Sequence, residues 1–222
     1  MCFSATASFT SALILIPVGV YCLNKSRKIK KSYWVFAVMP LLFGIQQALE
    51  GLVWLEIEPY GSGNVRAAAL GFMFFSHLFW IFWVPFSCYM VETDGFRKKL
   101  FYLLMFLGAI HGLLIYVPLL VNDDWLSVGL VGNSIDYTAL MLHDNYVPVN
   151  IMRLMYGVFV LLPLLICSDY KIKLFGISIL VSAVISGLYF SYTFISIWCY
   201  FAAILSLYLC HIIIERSRES KI

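Results

Sequence analysis

Apolar runs recur seven times along the chain, at about 9–23, 34–55, 67–91, 99–120, 150–167, 172–191 and 195–214. Short polar segments separate them, and most of these carry Lys or Arg. A bilayer core of roughly 30 Å needs about 20 apolar residues in a helix, so each run predicts a membrane span. Pro17, Pro40, Pro85, Pro118 and Pro163 lie inside or near the ends of the first five runs. Membrane helices accept proline because neighbouring helices and water satisfy the freed carbonyls, and such kinks can open a cavity.

One connection is long. Within residues 122–149 the stretch SVGLVGNSIDYTA reads as two short strands around Gly132-Asn133, a two-residue hairpin signal. A hairpin there is either a lid or a plain connector. The expected fold is an all-α membrane protein. It is a single domain over 1–222, a seven-transmembrane-helix bundle with a short outer β-hairpin between helices 4 and 5.

Basic residues orient the bundle. Lys25, Arg27, Lys28, Lys30 and Lys31 follow span 1, and Arg97, Lys98 and Lys99 follow span 3. Lys171 and Lys173 follow span 5, and Arg216, Arg218 and Lys221 end the chain. Thirteen of the fifteen Lys and Arg therefore fall on one side, with Arg66 and Arg153 as the exceptions. Basic loops stay in the cytoplasm, which predicts the N-terminus outside, the C-terminus cytoplasmic and loop 122–149 outside. The opening MCFSATASFT is then a short uncharged outer tail. It lacks the basic start of a signal peptide, and the basic cluster NKSRKIKK comes behind the first apolar run. Trp54, Trp125 and Trp198 mark the outer interface and Trp34 the inner one.

Composition removes several classes. Of 222 residues, 62% are hydrophobic and 12% charged, against about 25% charged in soluble domains. The bilayer is the main partner, no stretch is polar enough for a separate soluble domain, and no nucleic-acid partner is expected. The six cysteines follow no zinc-ribbon or disulfide spacing. Cys22, Cys88, Cys167 and Cys210 fall near cytoplasmic span ends and read as small apolar packing residues. Cys2 differs. With Met1 removed it would offer a thiol and an α-amine together, as a chelate or as a nucleophile with its own base.

Polar residues inside spans carry the candidate chemistry, because burying them in lipid is costly. At 1.5 Å per residue, Glu50 lies about 8 Å, Gln46 about 14 Å, His77 about 15 Å, His111 about 14 Å and Arg153 about 5 Å from the outer span ends. Gln46, Gln47 and Glu50 share or border one helix face. Trp80 lies one turn from His77, and Ser182 and Ser186 reach comparable depths. Together they predict a polar cavity open to the outside. Imidazole and carboxylate are the usual ligands of zinc, so Cys2, Glu50, His77 and His111 are candidate ligands for zinc or another divalent transition metal. No HxxxH, HExxH or DxxD spacing accompanies them. Glu50 and Arg153 also read as an ion pair, and each histidine as a helix-to-helix hydrogen bond. His211, at the cytoplasmic end of span 7, reads as structural.

The opening MCFSA and the span 2 stretch FGIQQALEGLVW resemble a family of uncharacterised bacterial integral membrane proteins whose members begin Met-Cys-Phe-Ser-Ala. The similarity covers most of the chain. It implies a bacterial inner (plasma) membrane location and carries no known activity. Microbial rhodopsins share the span count, but FISIWCYFAAILSLYLCH has no Lys to hold retinal. Alkaline ceramidase-like hydrolases pair two late histidines four apart, and CHIIIER offers only His211. Three functions remain open. One is a membrane-embedded binding protein, a sensor or transporter, with an outward pocket for a metal ion or small ligand. Another is a metal-dependent intramembrane hydrolase. The third is a structural or accessory membrane protein.

Overall fold

Side-chain caps open three of the helices, and a proline bends another. The computed structural model describes residues 4–57, 65–140 and 148–219. Ser4 opens α1 (Ala5–Ser26), its Oγ accepting the Ala7 amide at 3.2 Å. α2 spans Lys31–Ile57 and bends at Val38, just ahead of Pro40. A proline there has no N–H to give the preceding turn, and its ring crowds the carbonyl four residues back. α3 (Val65–Val91) contains a π-helical turn over Phe74–Phe79. Asp94 caps α4 (Gly95–Val121), accepting the Arg97 amide at 2.9 Å. α5 is Val149–Ile166. Asp169 caps α6 (Tyr170–Tyr189) by accepting the Lys171 amide at 3.0 Å. α7 is Phe194–Glu219.

These helices form an all-α bundle. Six of them are long and apolar enough to cross a membrane, and the apolar stretch of α5, Ile151–Ile166, is shorter. The outward surface is studded with exposed Leu, Ile, Val and aromatic side chains, such as Leu13, Leu114, Val121 and Leu188. Only lipid makes such a surface tolerable, and the chain is an integral membrane protein. Every expected run coincides with a helix, the observed elements being longer by a few residues at most ends.

Between α4 and α5 lies the hairpin, β1 (Leu126–Val131) paired antiparallel with β2 (Ser134–Ala139). Leu130 faces Ile135 and Val128 faces Tyr137 in its register. Gly132 turns the chain at φ +62°, a conformation glycine adopts without steric cost. Leu126, Ile135 and Tyr137 bury against Val53, Trp54, Phe72 and Leu119, and the Tyr137 ring stacks on Phe72 at 4.8 Å. The hairpin is therefore docked on the bundle end rather than projecting from it.

The opposite end is held by polar contacts. Asp169 accepts Tyr33 Oη at 2.6 Å and Arg216 Nη2, and the Arg216 guanidinium lies 4.4 Å over the Tyr33 ring. Glu92 is buried and accepts the amides of Thr93, Asp94 and Ser168 at 2.8–2.9 Å. Burial alone would raise its carboxyl, but these bonds and the Ser168 side chain outweigh it and hold the group below its usual 4.5. Arg216, one of the basic side chains placed here by the sequence, thus ties two helix ends together.

Candidate ligand pocket beneath the hairpin

Close helix contact builds the site. On α4, Gly108 and Gly112 are four apart and face α3, where side chains would collide. A Cβ at Gly108 would come within 2.6 Å of the Ile81 carbonyl, and one at Gly112 within 3.0 Å of the His77 carbonyl. Small residues at this spacing let membrane helices approach closely. His111 sits between them in sequence, and α3 widens opposite in its π-helical turn. Turns of that kind recur at functional sites because the wider winding re-aims side chains.

Under the hairpin is a cavity of about 320 Å³. α3 supplies Ser76 and His77, and α4 supplies His111 and Ile115. Asp136 to Ala139 of β2 cover it, Met152, Arg153 and Tyr156 come from α5, and the α6–α7 corner adds Tyr192, Phe194, Ile195, Trp198 and Cys199. Ser76 Oγ lies 2.9 Å from His77 Nδ1. A hydroxyl donating there leaves Nε2 as the ring's N–H, and the reverse arrangement leaves Nε2 an acceptor. The His111 ring lies 5.5 Å from Phe159. Arg153 donates from Nη2 to the Ser191 carbonyl at 2.8 Å and lies 5.3 Å over the Phe194 ring. Asp136 accepts the Thr138 hydroxyl at 2.9 Å. Tyr137 is buried, and its hydroxyl has no hydrogen-bond partner among the described residues. Burial pushes its phenol well above the usual range.

Several sequence expectations meet here and several part. His77, His111 and Arg153 line the one cavity. Gln46, Gln47 and Glu50 do not; they form a separate buried cluster on α2. Glu50 accepts Gln47 Nε2 at 3.1 Å and Ser196 Oγ at 2.5 Å. Gln46 Oε1 accepts the Trp80 indole at 2.8 Å, and Trp80 stacks on Phe43 at 4.0 Å. Gln46 Nε2 and Gln47 Oε1 have no partner among the described residues. Ser182 donates back to the Ile179 carbonyl of its own helix at 2.7 Å, and Ser186 Oγ is buried without a partner among the described residues.

Two expectations are corrected. Among the described residues no group of three or more His, Cys, Asp or Glu side chains can hold a metal ion. The zinc or other divalent-metal site expected of Glu50, His77 and His111 is therefore overturned, and Cys2 lies outside the described residues. The reason is directional: the Glu50 oxygens face Gln47 and Ser196, while the imidazoles line the cavity beneath the hairpin. The Glu50–Arg153 ion pair also fails, since among the described residues no salt bridge joins them. Arg153 serves a backbone carbonyl instead. Arg66 does the same at this end, donating to Leu119 O at 2.8 Å and pairing with Asp123 at 3.0 Å. Ser76, Asp136, Tyr156 and Trp198 were missed. For Ser76 the signal was its place beside His77, and for Asp136 its place in a hairpin able to fold over the bundle.

A model of a family of unknown function, DUF6629, matches residues 1–222, and the chain belongs to that family. No curated protein and no solved structure matches it.

Proposed function

We propose that this member of the family is a membrane-embedded binding protein, a sensor or transporter, whose pocket opens to the outside and takes a small organic ligand. In this reading all seven helices span a bacterial plasma membrane, with the N-terminus outside, the C-terminus cytoplasmic and the hairpin covering the pocket. The thirteen basic residues that the sequence groups on one side support that orientation. The observation that carries the reading is the cavity itself. It combines aromatic walls with His77, His111, Arg153 and Asp136, a few polar groups converging in an apolar frame. That is the usual make-up of a ligand site. A purely structural polar cluster has no need of about 320 Å³ of space beside it.

The test is recovery of what the protein carries. Full-length protein, purified in mild detergent, is analysed by native mass spectrometry and then denatured and extracted. The expected result is one organic molecule bound per chain. His111→Trp, which fills the cavity from α4, should lose it while keeping the wild-type elution volume and helical circular dichroism. Retention of the same molecule by a folded His111→Trp protein would refute the site.

A further inference from the structure

A second cavity lies directly below the first. It holds about 40 Å³ and is walled by apolar and aromatic side chains, among them Phe43, Val84, Val160 and Leu164. The two chambers have Tyr156, Trp198 and Cys199 in common, so they share one wall. The Tyr156 and Trp198 rings meet in it edge to face at 5.4 Å.

Three helices each run a single stripe from the upper chamber into the lower. On α5 the stripe is Arg153, Tyr156, Val160 and Leu164, spaced three, four and four apart. On α3 it is His77, Trp80 and Val84, and on α7 it is Ile195, Trp198 or Cys199, and Ala202. Residues at such spacings stand above one another on one helix face. Every stripe that begins with an ionisable side chain ends in an aliphatic one. From Arg153 to Leu164 the trough runs about 16 Å along α5 at 1.5 Å per residue. A compact polar ligand would use only the top of it, and an apolar chamber lined this way stays dry until an apolar group enters.

At the head of the trough stands a cation, Arg153. Arg153 carries five N–H donors. One nitrogen serves the Ser191 carbonyl, and among the described residues no carboxylate pairs with the guanidinium. Asp136 lines the same chamber, with one oxygen accepting the Thr138 hydroxyl, and among the described residues no ion pair joins it to Arg153. A guanidinium matches a carboxylate or phosphate in two-point geometry. At about 40 Å³ the lower chamber admits only the end of a single chain.

We infer that the ligand is a single-tailed amphiphile with an oxyanion head. Its head sits beneath the hairpin on Arg153, its hydrocarbon tail lies along the upper chamber, and the end of the tail reaches the lower chamber by parting the Tyr156 and Trp198 rings that close the shared wall. The inference rests on the reading of the upper cavity as a ligand site and names the class that site takes.

The experiment uses full-length protein in lipid nanodiscs and dodecanoic acid carrying a terminal bromine, which quenches nearby indoles. Trp80 and Trp198 line the tail chamber. Saturable quenching is expected, displaced by unbrominated dodecanoate or dodecyl phosphate. The better competitor of the two identifies a carboxylate or a phosphate head. Loss of the charge-assisted contact in Arg153→Gln should weaken binding at least about tenfold, and dodecanol should compete about tenfold less well than dodecanoate. Arg153 is exposed, so this variant should fold; wild-type elution confirms it. Val160→Trp, which blocks the lower chamber, should abolish the saturable signal. Linear, undisplaced quenching, or equal binding by Arg153→Gln or dodecanol, overturns the inference. If acetate, inorganic phosphate or a co-purified water-soluble molecule binds while dodecanoate does not, the amphiphile is wrong and the pocket stands. If none of them binds, both readings fall.

Discussion

Ser196→Ala should cost this fold more than a surface serine would, and the cost should depend on Glu50. Glu50 is 2% exposed, and its two oxygens are met by Gln47 Nε2 at 3.1 Å and Ser196 Oγ at 2.5 Å. Ser196 reaches it from α7, so this bond ties the second helix to the last. Removing the hydroxyl leaves one carboxyl oxygen without its donor in a dry interior, a loss of about 1–3 kcal/mol. Interhelical hydrogen bonds in membranes average only about 0.6 kcal/mol in double-mutant cycles and reach about 1.7, because the unfolded reference also finds partners. Burial of both groups puts this pair toward the upper figure, about 1–1.7 kcal/mol of coupling. In Glu50→Leu the acceptor is gone, so Ser196→Ala should then be close to neutral. Unfolding of the four proteins in mixed micelles with rising dodecyl sulfate, followed by tryptophan fluorescence, gives the cycle. The parallel cycle of Glu50→Leu with Arg153→Gln should be additive within about 0.5 kcal/mol, as for groups with no shared partner. A larger coupling of Glu50 to Arg153 than to Ser196 would refute the reasoning.

Two further outcomes test the frame around the site. Glu92 sits outside the spans with its carboxyl held below 4.5, so its ionised form stabilises the fold above that pH. Melting temperature should fall as pH drops below 4.5 through the lowered folded value, and Glu92→Gln should be less stable at neutral pH and lack that acid-dependent loss. A Glu92→Gln melting profile that tracks wild type across that range would count against the loop ties. Gly108→Val should lower stability by about 1–3 kcal/mol through overpacking of α3 on α4, since a Cβ there meets the Ile81 carbonyl at 2.6 Å. Gly95→Ala, where a Cβ meets nothing within 4 Å, is the control, and equal melting temperatures for the two variants would contradict the close approach.

The helices could be read from the chain because each is a local property. An apolar run of bilayer length has one stable form in lipid, where every backbone group must be satisfied within its own segment. Gly132-Asn133 was enough for the hairpin, since few residue pairs accept the backbone of a tight turn. Height along a helix also follows from the chain, as a residue count multiplied by a fixed rise. Direction does not. Each residue turns about 100° around the helix axis, so equal depth says nothing about which neighbour a side chain faces. Glu50 and Arg153 were paired on depth alone, yet the rotation of α2 turns Glu50 to Ser196 of α7. The metal set failed as well: the histidines had depth in common, but Glu50 lay nearer the outer end and turns to Gln47 and Ser196 instead. What folds over the bundle end, and the apolar chamber below it, depend on how helices distant in sequence rotate and lean together. That choice is made by packing, through contacts such as Gly108 against Ile81 and Tyr137 on Phe72. The sequence by itself determined which segments form the long apolar helices of a membrane protein. The tertiary structure decided which side chains look at one another, because only packing fixes the rotation of each helix about its axis.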